Sequence, residues 1–158
     1  MLGYWNNKEE TDKVLKDGWL YTGDIGVIEN DYLKITDRKK DILITPGGDN
    51  ISPIKIENEL TNSNLIDQAI VYGDNKPYLV ALLVLNEENL KSFSNKIEII
   101  SDEIKNINKK LSKIENIKKF FISNEKFSID NGMMTPTLKL KKFKIIQKYK
   151  NNFENLYS

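Results

Sequence analysis

The sequence predicts an α+β fold, and three observations carry that expectation. Gln68 to Tyr72 and Tyr78 to Leu85 are apolar runs separated by the turn signal Gly73-Asp74-Asn75-Lys76-Pro77, the pattern of an antiparallel strand pair. From Ser101 to about Phe120, Ile104, Ile107, Leu111, Ile114 and Phe121 recur at three- and four-residue steps. That period predicts an amphipathic helix with a lysine-rich outer face. Extended and helical segments alternate with hairpin-type connections, so helices and sheet should pack as a sandwich.

The elements follow in chain order. Residues 1–17 read as a short helical tail that Asn7 or Thr11 could cap, with Val14 and Leu15 as its apolar anchors. Ile25 to Ile28 and Tyr32 to Ile35 flank Glu29-Asn30-Asp31, which suits a hairpin turn. Ile42-Leu43-Ile44 is a short strand running into the loop signal Pro46-Gly47-Gly48-Asp49-Asn50. Ser52-Pro53 opens a helix, with Ser as N-cap and Pro at the first helical position. The run from Tyr78 to Leu85 is apolar on both faces and belongs in the centre of a sheet. After the amphipathic helix, Phe121-Ile122 begins another short strand, Asn131-Gly132 makes a turn, and a basic helix spans Lys139 to Tyr149. A boundary is expected at Arg38 to Lys40, giving a small β region over 1–38 and a compact remainder over 39–158.

Composition removes whole classes of chemistry. The 158 residues suffice for one domain, or for a small domain with an appended piece. The chain has neither cysteine nor histidine. Disulfides, thiolate metal sites, histidine-based triads and ordinary zinc sites are therefore not expected. No run approaches the ~18 apolar residues of a membrane helix, and Met1 to Glu10 lacks the pattern of a secretory leader. A cytoplasmic location is the expectation, with peripheral membrane contact left open. The net charge of +1 conceals an asymmetry: residues 1–90 carry 9 Lys/Arg against 16 Asp/Glu, and residues 91–158 carry 15 against 7. A basic half suits an anionic ligand or surface.

Several residues could carry chemistry, each with a plain structural alternative. Thr22-Gly23-Asp24 offers a turn with a carboxylate that either accepts two hydrogen bonds from a ligand diol or caps the turn. Arg38 after Asp37 could contact a ligand or make a local ion pair worth only ~0–1 kcal/mol at a surface. Gly47 and Gly48 permit close approach to the backbone, or simply make a turn. Lys139 stands near Lys141, Lys142 and Lys144, a run that fits a solvated helix face as well as anion binding.

Order and spacing sharpen the choice. Gly18-Trp19-Leu20-Tyr21-Thr22-Gly23-Asp24 comes first; Asp37-Arg38-Lys39-Lys40-Asp41, with Pro46-Gly47-Gly48 and Ser52-Pro53 behind it, comes second. Asn131-Gly132-Met133-Met134-Thr135-Pro136-Thr137-Leu138-Lys139 closes the set. All three blocks resemble the adenylate-forming (AMP-binding) enzymes, over nearly the whole chain. Thr-Pro-Thr-Leu-Lys is similar to the long-chain fatty acyl-CoA synthetase branch, where other branches usually carry Gly-Lys. The stretch Ile114 to Phe120, taken as a helix end, fits the same branch.

The resemblance implies a fold and a reaction. The fold is the mobile C-terminal domain of those enzymes, a short β-hairpin and a three-stranded sheet flanked by helices, preceded by a β-rich remnant of the large domain. The reaction joins a fatty acid to coenzyme A through an acyl-adenylate made from ATP. Lys139 matches the catalytic lysine that bridges carboxylate and α-phosphate, and Lys141 and Lys142 match less critical basic positions. Asp24, with Tyr21 and Thr22 beside it, matches the ribose ligand, and Arg38 a second nucleotide contact. Lys40 matches the hinge, and Gly47 and Gly48 the channel for the CoA arm. The phosphate-binding loop, adenine pocket, acyl tunnel and acidic magnesium ligand belong to a large N-terminal domain whose sequence is absent here. Mg2+ and most of the hold on ATP or AMP are therefore expected from that partner, with no metal ligand in this chain. Isolated, the chain is expected to be inactive. The competing expectations are a folded, non-catalytic remnant of a disrupted gene, and a basic module for anionic or membrane surfaces. Nucleic acid is not an expected partner.

Overall fold

The structure, a computed structural model, describes all 158 residues and divides them into two compact units, Met1–Asp41 and Ile42–Ser158. The division falls three residues after the boundary expected from the sequence.

In the first unit, helix α1 spans Lys8–Val14, and the Asn7 side chain caps it by accepting the Glu10 N–H at 3.1 Å. Strands β1 (Leu15–Lys16) and β2 (Trp19–Leu20) form a minimal antiparallel hairpin. Strands β3 (Asp24–Glu29) and β4 (Tyr32–Arg38) form a longer one. Its turn is Asn30-Asp31, with φ of 50° and 64°. Asn and Asp tolerate that left-handed backbone because their short polar side chains bond locally, and two such residues match the twist of a tight hairpin. The register shifts between Ile25 and Gly26, which brings Asp24 opposite Arg38. No apolar residue of this unit is buried, and Val27, Ile28, Tyr32, Leu33 and Ile35 stand exposed.

The second unit is a sandwich. Strands β5 (Leu43–Ile44) and β6 (Asn50–Ile51) pair as a small hairpin. Helix α2 (Pro53–Thr61) begins as expected, with Ser52 Oγ accepting the Lys55 N–H and Pro53 in the first turn. Strands β7 (Ile66–Tyr72), β8 (Leu79–Leu85) and β9 (Ile117–Ile122) make a three-stranded sheet in the order β7-β8-β9. The first pair is antiparallel and the second parallel. Helices α3 (Glu87–Leu90) and α4 (Lys96–Asn108) supply the crossover that a parallel pair requires. Helices α5 (Lys142–Lys148) and α6 (Lys150–Asn155) close the chain.

Strand periodicity divides the core in two. Leu79, Ala81, Leu83 and Leu85 of β8 join α2 and α4 through Ile56, Leu60, Ile100, Ile104 and Ile107. Val80, Leu82 and Val84 point the opposite way and join Phe127, Met133, Ile145 of α5 and Phe153 of α6. The whole of β8 is buried, the central position its two-faced apolar run predicts.

Three expectations fail at element boundaries: the strand expected to begin at Phe121-Ile122 spans Ile117–Ile122 and ends there, and two helix boundaries move. The amphipathic helix does not run from Ser101 to Phe120; it begins at Lys96 and ends at Asn108. The Asn108 side chain accepts the Ile117 N–H and donates to the Ile117 carbonyl, both at 2.9 Å. It thereby acts as a one-residue strand partner that ends the helix and starts β9. Ile114 consequently lies in a connection and is exposed, while Phe120 and Phe121 belong to β9. The basic helix starts at Lys142, so Lys139 precedes it.

Candidate functional site

In the first unit the structure brings Asp24 and Arg38 together. Arg38 Nε lies 3.2 Å from Asp24 Oδ1 across the end of the β3–β4 ladder. The Asp24 N–H donates to Thr22 Oγ1 at 3.0 Å, so Thr22 shapes the turn that presents the carboxylate. The buried Asp37 accepts the Arg38 N–H on Oδ1 at 2.7 Å and fixes the backbone from which Arg38 projects. Tyr21 is exposed, and its N–H is tied to the Val14 carbonyl at 2.8 Å. Lys40 is exposed in the turn closed by Asp41 N–H to Arg38 O, immediately before the division between the units.

In the second unit the β5–β6 connection carries Gly47 and Gly48. Thr45 and Asp49 close the loop: the Thr45 hydroxyl donates to Asp49 Oδ2 and accepts the Asp49 N–H. Gly48 has φ of +88° and makes the reversal. Gly47 has no such requirement, and a Cβ there would meet nothing closer than 3.5 Å. Instead it lines a cavity of about 420 Å³, whose wall also includes Tyr78, Lys76, Lys113 and Lys118. Lys76 is held by Glu154 at 2.6 Å, an ion pair that raises the lysine pKa and lowers that of the glutamate.

Lys139 stands on a hairpin rather than a helix. Met134 and Leu140 pair antiparallel, Lys141 N–H donates to Met133 O at 2.8 Å, and Thr135 N–H donates to Lys139 O at 2.8 Å. The Thr135 hydroxyl accepts the Lys139 N–H at 3.0 Å and meets the Thr137 hydroxyl at 2.9 Å. Leu138 turns the chain with φ of +59°, a conformation that favours glycine. Lys139 is exposed.

Lys142 does not occupy a solvated helix face. Its Nζ is desolvated and lies 2.5 Å from Glu57 Oε2. Glu57 is itself buried, and its other oxygen accepts the Val71 N–H at 3.1 Å. The sequence carries a signal for the burial of Glu57. Pro53, Ile56, Glu57 and Leu60 fall on one face at helical spacing, and all four are buried. A carboxylate on such a face requires a cation or a donor.

No group of three or more His, Cys, Asp or Glu converges on a point that could hold a metal ion. No helix is long and apolar enough to cross a membrane.

Comparison with known proteins shows the family. The family model described as the AMP-binding enzyme C-terminal domain matches residues 40–158. The chain is 34% identical over 175 residues to the long-chain-fatty-acid–CoA ligase FadD15 of Mycobacterium tuberculosis, covering 99% of this chain and 29% of that protein. It is 37% identical over 176 residues to long-chain-fatty-acid–CoA ligase 5 of Rattus norvegicus, covering 98% and 26%. Among solved structures, the adenylation domain of a carboxylate reductase from Mycobacterium chelonae superposes with a TM-score of 0.89 at 29% identity, covering 98% of this chain and 26% of that one. The corresponding domain from Segniliparus rugosus, solved with AMP and a co-purified carboxylic acid, gives 0.88 at 27% identity over the same shares. The chain thus spans between a quarter and three tenths of the length of these relatives.

Proposed function

Because the chain belongs to the AMP-binding, adenylate-forming enzymes through their C-terminal domain, we propose that it performs the C-terminal part of long-chain fatty acid–CoA ligation. It does so when joined to a large domain that holds ATP and the fatty acid.

In the first half-reaction a carboxylate oxygen bonds to the α-phosphorus of ATP and the bond to pyrophosphate breaks. Two anions at ~4 Å repel by roughly 4 kcal/mol at an effective dielectric of 20, so a cation between them is required. Lys139 fills that role, presented at a hairpin tip whose bonds leave its side chain exposed. Asp24 takes the ribose hydroxyls. Its pairing with Arg38 is a half-exposed surface contact worth ~0–1 kcal/mol, weak enough for a ligand to rearrange.

In the second half-reaction the CoA sulfur attacks the acyl carbon, AMP leaves, and the thiol proton passes to solvent. Rotation about Lys40 exchanges the Lys139 hairpin for the Gly47 loop. The cavity beside Gly47 admits a thin chain, and Lys76, Lys113 and Lys118 suit the phosphates at the far end of CoA.

The observation that carries the proposal is the exposed Lys139 on a tight, strained hairpin within a sequence matched along its length by long-chain ligases. The uncovered apolar face of β3 and β4 supports a large-domain partner. The test is to join the chain to the large domain of the Mycobacterium tuberculosis relative, in place of that protein's own C-terminal segment. Palmitate-, ATP- and CoA-dependent AMP release above that of the large domain alone is expected; no gain contradicts the proposal.

A further inference from the structure

The free edge of β7 bears an ion pair that the reaction as described does not use. Glu57 lies on α2, which packs on one face of the sheet, and Lys142 opens α5, which packs on the other. β7 is the edge strand between them, and its Val71 N–H donates to Glu57 at 3.1 Å while Glu57 holds Lys142 at 2.5 Å. The Glu57 carboxylate thus satisfies an edge donor and links the two helical layers around the strand. Its side chain is 10% exposed, and the Lys142 Nζ has no other hydrogen-bond partner.

Lys142 follows directly on the hairpin that carries Lys139. The Lys141 N–H to Met133 carbonyl bond and the Met134–Leu140 pairing join the two strands of that hairpin. At its tip, Leu138 occupies an unfavourable left-handed backbone. A strained tip persists only where its surroundings over-determine it. Lys141 offers no side-chain cap to α5, so the start of that helix lacks the usual local anchor. The Glu57–Lys142 pair supplies a long-range one.

We infer that Glu57 is a positioning residue for Lys139: through Lys142 it holds the exit strand of the hairpin against the sheet edge and so fixes where the lysine stands. This rests on the proposed role of Lys139, but the holding of the hairpin can be measured without it. The Lys142 Nζ is desolvated against Glu57, so loss of that carboxylate leaves the ammonium buried without the counter-charge it meets there. Lys142 is then driven outward, and the exit strand moves with it.

The test has two arms, each using Glu57→Gln, Lys142→Met and Lys142→Arg. In the first, the 158-residue chain is treated with trypsin, and cleavage after Lys139 and Lys141 is followed by mass spectrometry against cleavage after Lys91. Local opening governs such cleavage, so Glu57→Gln and Lys142→Met should raise it about tenfold with unchanged circular dichroism, and Lys142→Arg should restore protection. In the second, the chain is joined to the large domain and the two half-reactions are assayed separately. Glu57→Gln should lower kcat of adenylation about tenfold or more, leave the KM for ATP within about twofold, and spare thioester formation from supplied acyl-adenylate. Unchanged cleavage overturns the inference. So does equal loss of both half-reactions, which marks a merely structural role. If the wild-type fusion makes no adenylate, the proposed function fails instead, and the cleavage result alone decides whether the pair holds the hairpin.

Discussion

Asp24 and Arg38 face one another at the end of the β3–β4 ladder, carboxylate to guanidinium at 3.2 Å, because a register shift at Ile25 and Gly26 sets them opposite. Sequence neighbours could not have predicted this partnership: Arg38 bonds through its backbone to the adjacent Asp37, and through its side chain to a residue on the other strand.

That separation of tasks gives a first prediction. Asp24→Asn removes an ion pair worth ~0–1 kcal/mol, so the urea midpoint of the chain should barely move. In the joined enzyme the same change should raise the KM for ATP about tenfold, because a ribose hydroxyl loses a charged acceptor worth ~1.5–3 kcal/mol. A large loss of stability with unchanged KM would make Asp24 a turn residue only.

Backbone strain at the tip of the Lys139 hairpin gives a second. An L-residue in the left-handed region costs roughly 1–2 kcal/mol, and glycine returns ~0.5–1 kcal/mol of that through the freedom it adds to the unfolded chain. Leu138→Gly should therefore be neutral to stabilising by under about 1 kcal/mol, whereas β-branched Leu138→Val should destabilise. Equilibrium unfolding in urea should rank Gly at or above Leu, and Leu above Val. The reverse order would contradict the left-handed turn.

The junction of α4 and β9 gives a third. Asn108→Ala leaves the N–H and carbonyl of Ile117 without their partners, at a cost of about 1–3 kcal/mol. Asn108→Asp can accept but not donate and should fall between. Chemical denaturation measures both, and an alanine variant as stable as wild type would show the amide to be incidental.

Acid sensitivity gives a fourth. Glu125 is held below the usual carboxylate value of 4.5 by Lys148 and then by the Tyr149 hydroxyl, which donates to it at 2.7 Å. Glu154 is lowered by Lys76 and then by Tyr72. A lowered folded-state pKa means the folded chain binds fewer protons than the unfolded one in this range. The stability these groups contribute is complete above 4.5 and is lost as pH falls through their lowered values. Glu125→Gln/Glu154→Gln should thus flatten the decline in melting temperature between about pH 5 and pH 3. An unchanged slope would assign acid unfolding to other carboxylates.

Much of this fold was legible where local signals and burial agree. The Ser52-Pro53 helix start, the Asn30-Asp31 turn and the two-faced run of β8 stand as the sequence predicts. The amphipathic pattern misled beyond Asn108, because Leu111, Ile114 and Phe121 continue a helical period by coincidence while a long-range amide bond to Ile117 ends the helix. The β5–β6 pairing escaped because each strand has only two residues and Asn50 reads as loop. At the candidate site, Lys139 was legible from its block, but its place on a hairpin was not, since the left-handed turn falls on leucine instead of glycine. In the sequence Lys142 is one lysine of a run that fits a solvated helix face. Its burial depends on Glu57, which lies 85 positions earlier and meets it only around a strand edge.

The most direct measurement is the separation of half-reactions in Lys139→Ala, with the chain joined to a large domain. Acyl-adenylate formation, followed by pyrophosphate release, should fall by about 10²–10³, the usual loss on removing a group that stabilises developing charge. Thioester formation from supplied acyl-adenylate and CoA should remain within about twofold of wild type, because that step uses the Gly47 loop in place of the Lys139 hairpin. Equal loss of both half-reactions in a folded variant would contradict the assignment of Lys139.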